Sequence, residues 1–375
     1  MHPSILATAV ALPEYAYTQE QVCGYVRAWL AHDPEKAAKA EAILRNAEVA
    51  RRHTVRPAEW YLAHTSVSER SAVYREEMVR LCEAAARQAL ELAGVTAGEI
   101  GLIVSTSCTG VMIPPVESHL MNRMPFRPTT RRMPLTELGC VAGATAVSLA
   151  AQYLAAQPDS AVLIVCAELA SLTAQMEDFS LTNIVAAAIF GDGAAATVLA
   201  GPRHPRAGGN GENGRAGATD GKGLGAANGR LHPRILAGRG VQFPDTLEMM
   251  GFHNTDSGLK IFLSPRVPRF VREELPRYLL PFLAEQGVTL AELRHFLFHP
   301  GGRKVLEGLQ RELALTREQT RLSWDVLREH GNLSSATVLF LLHRFEREVR
   351  PEPGDLGLMM AVGPGFSCEL VLLQW

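Results

Sequence analysis

Val141-Ala142-Gly143-Ala144-Thr145-Ala146-Val147-Ser148-Leu149-Ala150-Ala151-Gln152-Tyr153-Leu154-Ala155-Ala156 is the stretch from which the fold class follows. It is rich in alanine and apolar nearly all round, so as a helix it offers no face to water and belongs in the middle of the protein. Just beyond it, Ala161 to Cys166 (AVLIVC) is a short apolar run without polar alternation, as a strand buried on both faces requires. Gly101 to Ser107 (GLIVSTS) and Ala194 to Leu199 (AAATVL) read the same way. Two helices are expected ahead of them: Glu35 to Ala50, amphipathic and ending in the basic pair Arg51 and Arg52, and about Tyr74 to Ala93, stopped by Gly94.

Gly201 to Arg230 interrupts this alternation with Gly, Asn, Ala and Pro, and reads as a flexible surface loop. It lacks the ordered glycine signatures, with flanking strand and helix, of a phosphate-binding loop. Beyond it the pattern resumes: a helix from Val267 to Gln286, a strand from His295 to Phe298, then helices from Gly302 to Leu313 and from Ser334 to Val349. Two apolar runs, Leu356 to Val362 and Ser367 to Gln374, close the chain around the turn Gly363-Pro364-Gly365. The sequence thus divides into residues 1–200, a loop at 201–230, and residues 231–375: two αβ halves of a layered α/β protein with buried sheets.

At 375 residues the chain exceeds the usual size of one core. Its 47% hydrophobic and 20% charged residues are the mix of a packed globular protein. Lys plus Arg (37) nearly cancels Asp plus Glu (39), so overall charge draws the chain toward neither nucleic acid nor anionic lipid. No Lys or Arg precedes the short apolar stretch at the start, and Pro13 interrupts it, so no secretory signal is expected. No apolar run is read as long enough to span a bilayer. Six cysteines lie scattered, without a CxxC pair or zinc-type spacing to His. Neither a disulfide framework nor a structural metal is expected, and the reading places the chain in the cytoplasm.

Cys140 stands apart from the other thiols because of its neighbours. Leu138-Gly139-Cys140-Val141-Ala142-Gly143-Ala144 puts it at the start of the buried helix, after a glycine that allows a sharp entry. Free N–H groups and the positive end of the helix dipole favour a thiolate there, the setting of a nucleophile. A structural thiol at a tight helix crossing fits the same segment. In Phe298-His299-Pro300-Gly301-Gly302 a histidine ends a strand before a helix, and in His330-Gly331-Asn332-Leu333-Ser334-Ser335-Ala336 an asparagine sits at the mouth of an apolar helix. A solvent histidine and a helix N-cap are the plain alternatives.

Taken together, Gly139-Cys140-Val141-Ala142-Gly143, Phe190-Gly191-Asp192-Gly193-Ala194-Ala195, His299-Pro300-Gly301-Gly302, Gly331-Asn332-Leu333-Ser334-Ser335-Ala336 and Gly363-Pro364-Gly365 resemble the motifs of type III polyketide synthases, the chalcone synthase-like enzymes, in order and spacing. The resemblance spans essentially the whole chain. It implies the thiolase-like fold, two similar halves stacked in five layers αβαβα, and a homodimer. It implies an acyltransferase that takes acyl-CoA and malonyl-CoA and needs no metal or redox cofactor. Cys140, as a thiolate beside the His299 imidazolium, would hold the starter, while His299 and Asn332 would stabilise the enolate formed as malonyl-CoA loses carbon dioxide. Phe190 matches the family phenylalanine at the active-site entrance.

Departures from the chalcone synthase pattern bear on substrate. The second gatekeeper phenylalanine falls on Ile261, the elongation-cavity glycine on Phe252 and one cavity threonine on Ala170, while Thr173 is retained. Cys108 lies where bacterial members often carry a cavity cysteine, although a buried strand-end thiol fits equally. Gly363, Pro364 and Gly365 would shape the cavity floor. The stretch from Leu138 to Leu199 looks most similar to bacterial synthases that take aliphatic starters and make alkylpyrones or alkylresorcinols. Tetrahydroxynaphthalene synthesis from malonyl-CoA alone is the alternative product class. A single-condensation ketoacyl synthase and a silent thiolase-fold scaffold are the rival functions. For CoA, Lys39 matches one family basic residue, and Arg45, Arg51, Arg303 or Lys304 would stand in for others; an ordinary solvated charged face accounts for each equally.

Overall fold

The computed structural model describes residues 2–63, 65–207 and 231–375. The strands of its main sheet are β1 (Ser4–Ala11), β2 (Ile100–Ser107), β3 (Arg131–Thr136), β4 (Ala161–Leu169), β5 (Asp192–Ala200), β6 (Arg234–Gln242), β7 (Leu293–Phe298), β8 (Leu356–Gly363) and β9 (Ser367–Gln374). They run in the order β7-β8-β9-β6-β1-β5-β4-β2-β3. At the centre, β6 and β1 share only the pair Ser4 and Arg234, so the sheet is two sheets stitched at one point.

The two sides of that seam repeat one pattern. In the N-terminal half β1 is antiparallel to β5, β5 to β4, and β4 runs parallel to β2. In the C-terminal half β6 is antiparallel to β9, β9 to β8, and β8 runs parallel to β7. Only β3, parallel to β2, has no counterpart.

Between the sheets lie two central helices, Ala142–Ala156 and Thr337–Glu348. Ala144, Ala146, Val147, Ala150 and Leu154 of the first join Val338, Leu339, Leu341 and Leu342 of the second in one buried cluster with both sheets. The outer face of the N-terminal sheet is covered by Val67–Ala93. The outer face of the C-terminal sheet is covered by Val267–Glu274, Pro276–Glu285 and Arg303–Glu312. These are the five layers of the thiolase-like fold.

Several expected boundaries move for identifiable reasons. The first long helix ends at Asn46, and Arg51–Thr54 pairs as a strand with Tyr15–Thr18, so Arg51 and Arg52 leave the helix. The Val67–Ala93 helix begins a turn or two early because Ser66 and Glu69 form a capping box, while Gly94 ends it at φ 62° as expected. Pro276 breaks the Val267 to Gln286 helix in two, since it brings no N–H and its ring crowds the preceding turn. Gly139–Ala156 is long and apolar enough to cross a membrane by length and composition, contrary to the reading above, but it is the central helix and its entry turn, held between the sheets. Residues 208–230 of the expected loop lie outside the described residues.

Candidate active site

Cys140 is held in a 3-10 turn, Gly139–Val141, that leads into the central helix. Gly139 adopts φ 61°, and a Cβ there would stand 2.6 Å from Pro364 Cδ, so only glycine fits the approach. The thiol is buried, yet it borders a cavity of about 220 Å³ together with Gly139, Cys108, Ser334 and Pro364. The companion turn Ser334–Ala336 opens the second central helix, with Ser334 at φ 47°. The turns meet closely: a Cβ on Gly143 would lie 2.1 Å from the Ser335 carbonyl oxygen.

Asn332 is fixed by backbone on both sides. Its N–H donates to Ile189 O at 2.7 Å and its carbonyl accepts from Gly191 N at 3.1 Å, which ties it to the chain around Phe190. Its Oδ1 accepts from Ser334 N at 2.7 Å and lies 4.0 Å from Cys140 Sγ. The side chain thus closes a local turn instead of capping the Thr337–Glu348 helix. With Oδ1 engaged, Nδ2 is the group left to donate.

His299 follows β7; its N–H donates to Met360 O at 2.8 Å, and Ser323 Oγ donates to Phe298 O at 2.7 Å just before it. The same strand that anchors His299, β8, reaches the nucleophile turn three residues later, where a Cβ on Gly363 would meet Leu138 O and Val141 N at 2.9 and 2.8 Å. The imidazole is buried, and among the described residues neither ring nitrogen has a hydrogen-bond partner. Two unpaired nitrogens on one buried ring are available to a polar partner.

Burial acts on both groups against charge. It pushes the Cys140 thiol up to about 11, outweighing the hydrogen bond from Ser334 that favours the thiolate. It holds the His299 imidazole down to about 3. Burial thus works against both charges of the thiolate and imidazolium that the resemblance implies for this pair.

Glu168 is the element that the sequence reading passed over. It is fully buried at the end of β4 and gathers the surrounding turns. Ser335 Oγ donates to Oε1 at 2.6 Å; Cys108 N and Thr109 Oγ1 donate to Oε2 at 3.0 and 2.9 Å. Cys108 Sγ lies 3.7 Å from the same oxygen and 3.5 Å from Ser334 Oγ. A lone carboxylate closing the otherwise apolar run AVLIVCAEL was the signal, because such a group is tolerated only with several donors around it.

Of the other expected cavity residues, Phe190, Cys108, Ala170, Thr173, Phe252, Ile261 and Pro364 border the cavity. Phe252 and Ile261 face each other across the hairpin of Met250–Thr255 and Gly258–Leu263. Gly363 and Gly365 flank the lining Pro364 without bordering the cavity themselves, and Gly363 serves the backbone contact described above. The cavity also runs where the sequence reading did not look, under Gln19–Trp29 and Ala58–Leu62. Val22, Val26, Trp29, Leu62 and Met176 form an apolar arm there, joined by Tyr17, Tyr25 and Tyr61. Lys39, Arg45, Arg51, Arg303 and Lys304 stand outside the cavity. Lys39 is paired with Glu35, Arg45 with Glu20, and Arg303 with Glu307; among the described residues Arg51 and Lys304 form no ion pair.

Comparison with known proteins agrees with this arrangement. The profile for chalcone and stilbene synthases, N-terminal domain, matches residues 2–202, and that for the C-terminal domain matches residues 237–375. The chain is 36% identical over 372 residues to the 1,3,6,8-tetrahydroxynaphthalene synthase of Streptomyces peucetius subsp. caesius, covering 99% of this chain and 93% of that one. It is 31% identical over 366 residues to the phloroglucinol synthase of Pseudomonas fluorescens, covering 98% and 97%. The crystal structure of 1,3,6,8-tetrahydroxynaphthalene synthase from Streptomyces coelicolor A3(2), a bacterial type III polyketide synthase, superposes with a TM-score of 0.87 at 29% identity over 99% of both chains. The chain belongs to the chalcone and stilbene synthase family and is a type III polyketide synthase, an acyltransferase that condenses acyl-CoA with malonyl-CoA.

Proposed function

We propose that this synthase loads an aliphatic acyl-CoA starter on Cys140, extends it with malonyl-CoA and cyclises the chain to an alkylpyrone or alkylresorcinol. The apolar arm lined by Val22, Val26, Trp29, Leu62 and Met176 carries this reading, because an alkyl tail is the substrate part that gains most from leaving water there.

In this mechanism the Cys140 proton passes to His299, and the thiolate attacks the thioester carbon. The C–S bond to CoA breaks, and CoA leaves with the proton from His299. The two charges arise together, so this loading step leaves the buried pair without net charge. Malonyl-CoA then loses carbon dioxide, and the electron pair of the broken C–C bond moves onto the thioester oxygen. Asn332 Nδ2 and the N–H of neutral His299 donate to that oxygen. The enolate carbon attacks the Cys140 thioester, the C–S bond breaks, and the thiolate is restored. Phe190 sets an apolar wall that favours losing the malonyl carboxylate as a neutral molecule. Each condensation takes up one proton from water, which returns Cys140 and His299 to the neutral pair, and CoA thioesters supply the other groups without a metal or redox cofactor.

Arg51 and Lys304, free of ion pairs among the described residues, are assigned to the CoA phosphates ahead of Lys39, Arg45 and Arg303, each already paired. The proposal includes a homodimer in the cytoplasm; Val111 at 71% and Ile113 at 90% exposure, on the loop after β2, support a second copy covering that loop.

A second reading, extension of malonyl-CoA alone to a naphthalene, is favoured by the 36% identity to a tetrahydroxynaphthalene synthase. Incubation with malonyl-CoA, alone and with acyl-CoA starters of graded length, and mass spectrometry of the products separate the two. Products carrying the alkyl starter, absent with Cys140→Ala, are expected. Products of malonyl-CoA that ignore every starter would replace this reading with the second, and a single condensation would point to a ketoacyl synthase.

A further inference from the structure

A second polar device borders the same cavity and takes no part in the steps above. Asp192, the first residue of β5, is fully buried. Its Oδ1 accepts from Ser171 N at 2.8 Å, and its Oδ2 accepts from Val55 N at 2.9 Å and from Ser171 Oγ. Among the described residues no cation pairs with it, although an ionised carboxylate in such a place ordinarily requires one. Ser171 Oγ in turn lies 2.7 Å from the Tyr61 hydroxyl, which also accepts from Arg56 N at 3.1 Å. Tyr61 and Ser171 both border the cavity, in a wall otherwise made mainly of apolar side chains. One file of hydroxyls therefore leads from the cavity to a buried carboxyl group.

The direction of the file depends on where the Asp192 proton is. With Asp192 ionised, Tyr61 donates to Ser171 and Ser171 to Asp192, so the phenol turns only lone pairs to the cavity. With Asp192 protonated, the acid donates to Ser171, Ser171 donates to Tyr61, and the phenol hydrogen turns away from Ser171, toward Thr54 and the cavity that both side chains border. Burial raises the Asp192 carboxyl to about 7, so both directions are accessible near neutral pH.

We propose that Tyr61 is a second substrate-contacting residue: its hydroxyl, aimed by the positioning residues Ser171 and Asp192, donates a hydrogen bond to a keto oxygen of the chain held on Cys140 and so selects how the chain folds to close its ring. This rests on the polyketide reading of the cavity and not on the choice of starter. An apolar wall cannot tell one carbonyl of a repeating β-keto chain from the next; a single fixed donor can, because only one register of the chain satisfies it.

The test compares Tyr61→Phe, Ser171→Ala and Ser171→Thr with the parent enzyme, using whichever starter the parent turns over, malonyl-CoA alone included. The readouts are the ratio of the main cyclised product to shorter lactones, and Cys140 acylation by intact mass. Tyr61→Phe and Ser171→Ala are expected to lower the ratio about five-fold or more, the worth of one hydrogen bond. Ser171→Thr, which keeps the hydroxyl, is expected to restore it. An unchanged ratio in both deletion variants overturns the proposal. If Tyr61→Phe also loses acylation, Ser171→Ala decides, because it keeps the ring: a changed ratio with Cys140 still acylated supports the proposal, and any other result overturns it. Failure of the alkyl-starter reading shows separately, as a parent enzyme that ignores every starter.

Discussion

In the N-terminal half the central helix is entered through Gly139-Cys140-Val141, and in the C-terminal half through Ser334-Ser335-Ala336. Both turns are 3-10 and both begin at positive φ, 61° at Gly139 and 47° at Ser334. Cys140 and Ser335 thus occupy equivalent places and do different things. Cys140 opens on the cavity. Ser335 is fully buried, accepts from Thr106 Oγ1 at 2.8 Å and donates to Glu168. The strands repeat the contrast: β2 and β7 hold equivalent places beside β4 and β8, and they deliver Cys108 and His299. A duplicated scaffold offers each position twice; the proposed mechanism takes the thiol from one half and the imidazole and amide from the other. The unused copies hold the site in shape.

The sharpest way to break that comparison is to remove each member of the first pair. Cys140→Ala is expected to lower product formation by more than about 10³-fold, since it removes the thiol on which the proposed mechanism builds the acyl chain. Ser335→Ala takes a strong donor from buried Glu168 and is expected to cost about 1–3 kcal/mol of stability, while Cys140 still becomes acylated in the folded fraction. Intact-mass measurement of the acyl-enzyme, beside a denaturant melt, checks both. Complete loss of acylation in a folded Ser335→Ala variant would mean that the second turn is chemical and not structural.

Next in size is the crossing itself. Gly143 lets the central helices touch: an added Cβ would meet Ser335 O at 2.1 Å and Val338 Cγ2 at 2.7 Å, and a backbone oxygen cannot yield as a side chain does. Gly143→Ala is expected to destabilise the fold by about 1–3 kcal/mol and to slow condensation by separating Cys140 from Asn332. Gly24, within the Gln19–Trp29 helix, has nothing within 4 Å of its added Cβ, so Gly24→Ala is expected to stabilise by up to about 1 kcal/mol. Thermal melting of the two variants side by side measures the difference, and equal behaviour would remove the crossing from the account.

Gly143 also marks where sequence stops being legible. The central helix, the buried strands and the closing turn follow from local patterns of apolar, small and breaker residues, and each has a counterpart in the structure. Cys140 was visible for the same reason, because its neighbours in sequence are its neighbours in space. The equivalence of Cys140 and Ser335 was not, since it is a property of two turns almost two hundred residues apart in the chain. His299 and Asn332 stood out at element boundaries, where a solvent histidine and a helix N-cap fitted as well, and took on a role through a resemblance spanning several motifs. Tyr61 and all of the apolar arm but Met176 come from the segment between the first strand and the long outer helix, where periodicity predicts helices but not what they cover. Glu168 was readable as an anomaly, yet its partners come from two separate turns. Packing across elements, absent from any one window of sequence, decides these features.

The smallest expected effect concerns pH and the second equivalent pair. His299 titrates at about 3 in the fold against a usual value of 6.5. Above 6.5 the folded and unfolded chains are both neutral at this residue, and its full contribution to stability is present. As the pH falls, the unfolded chain takes up the proton first, so that contribution is lost progressively between 6.5 and 3. At pH 5 the loss is roughly 2 kcal/mol. Denaturant melts at pH 7.5 and 5.0 should therefore show His299→Gln losing less stability on acidification than the parent. Cys108 acts at the opposite limb: the buried site, with Glu168 beside it, raises the thiol well above its usual 9. The fold keeps that proton after the unfolded chain has released it, so stability is lost as pH rises beyond 9, and Cys108→Ala should flatten only the alkaline side. An acid-side change in Cys108→Ala, or parallel acid losses in His299→Gln and the parent, would mean that the two strand ends are not the paired neutral positions described here.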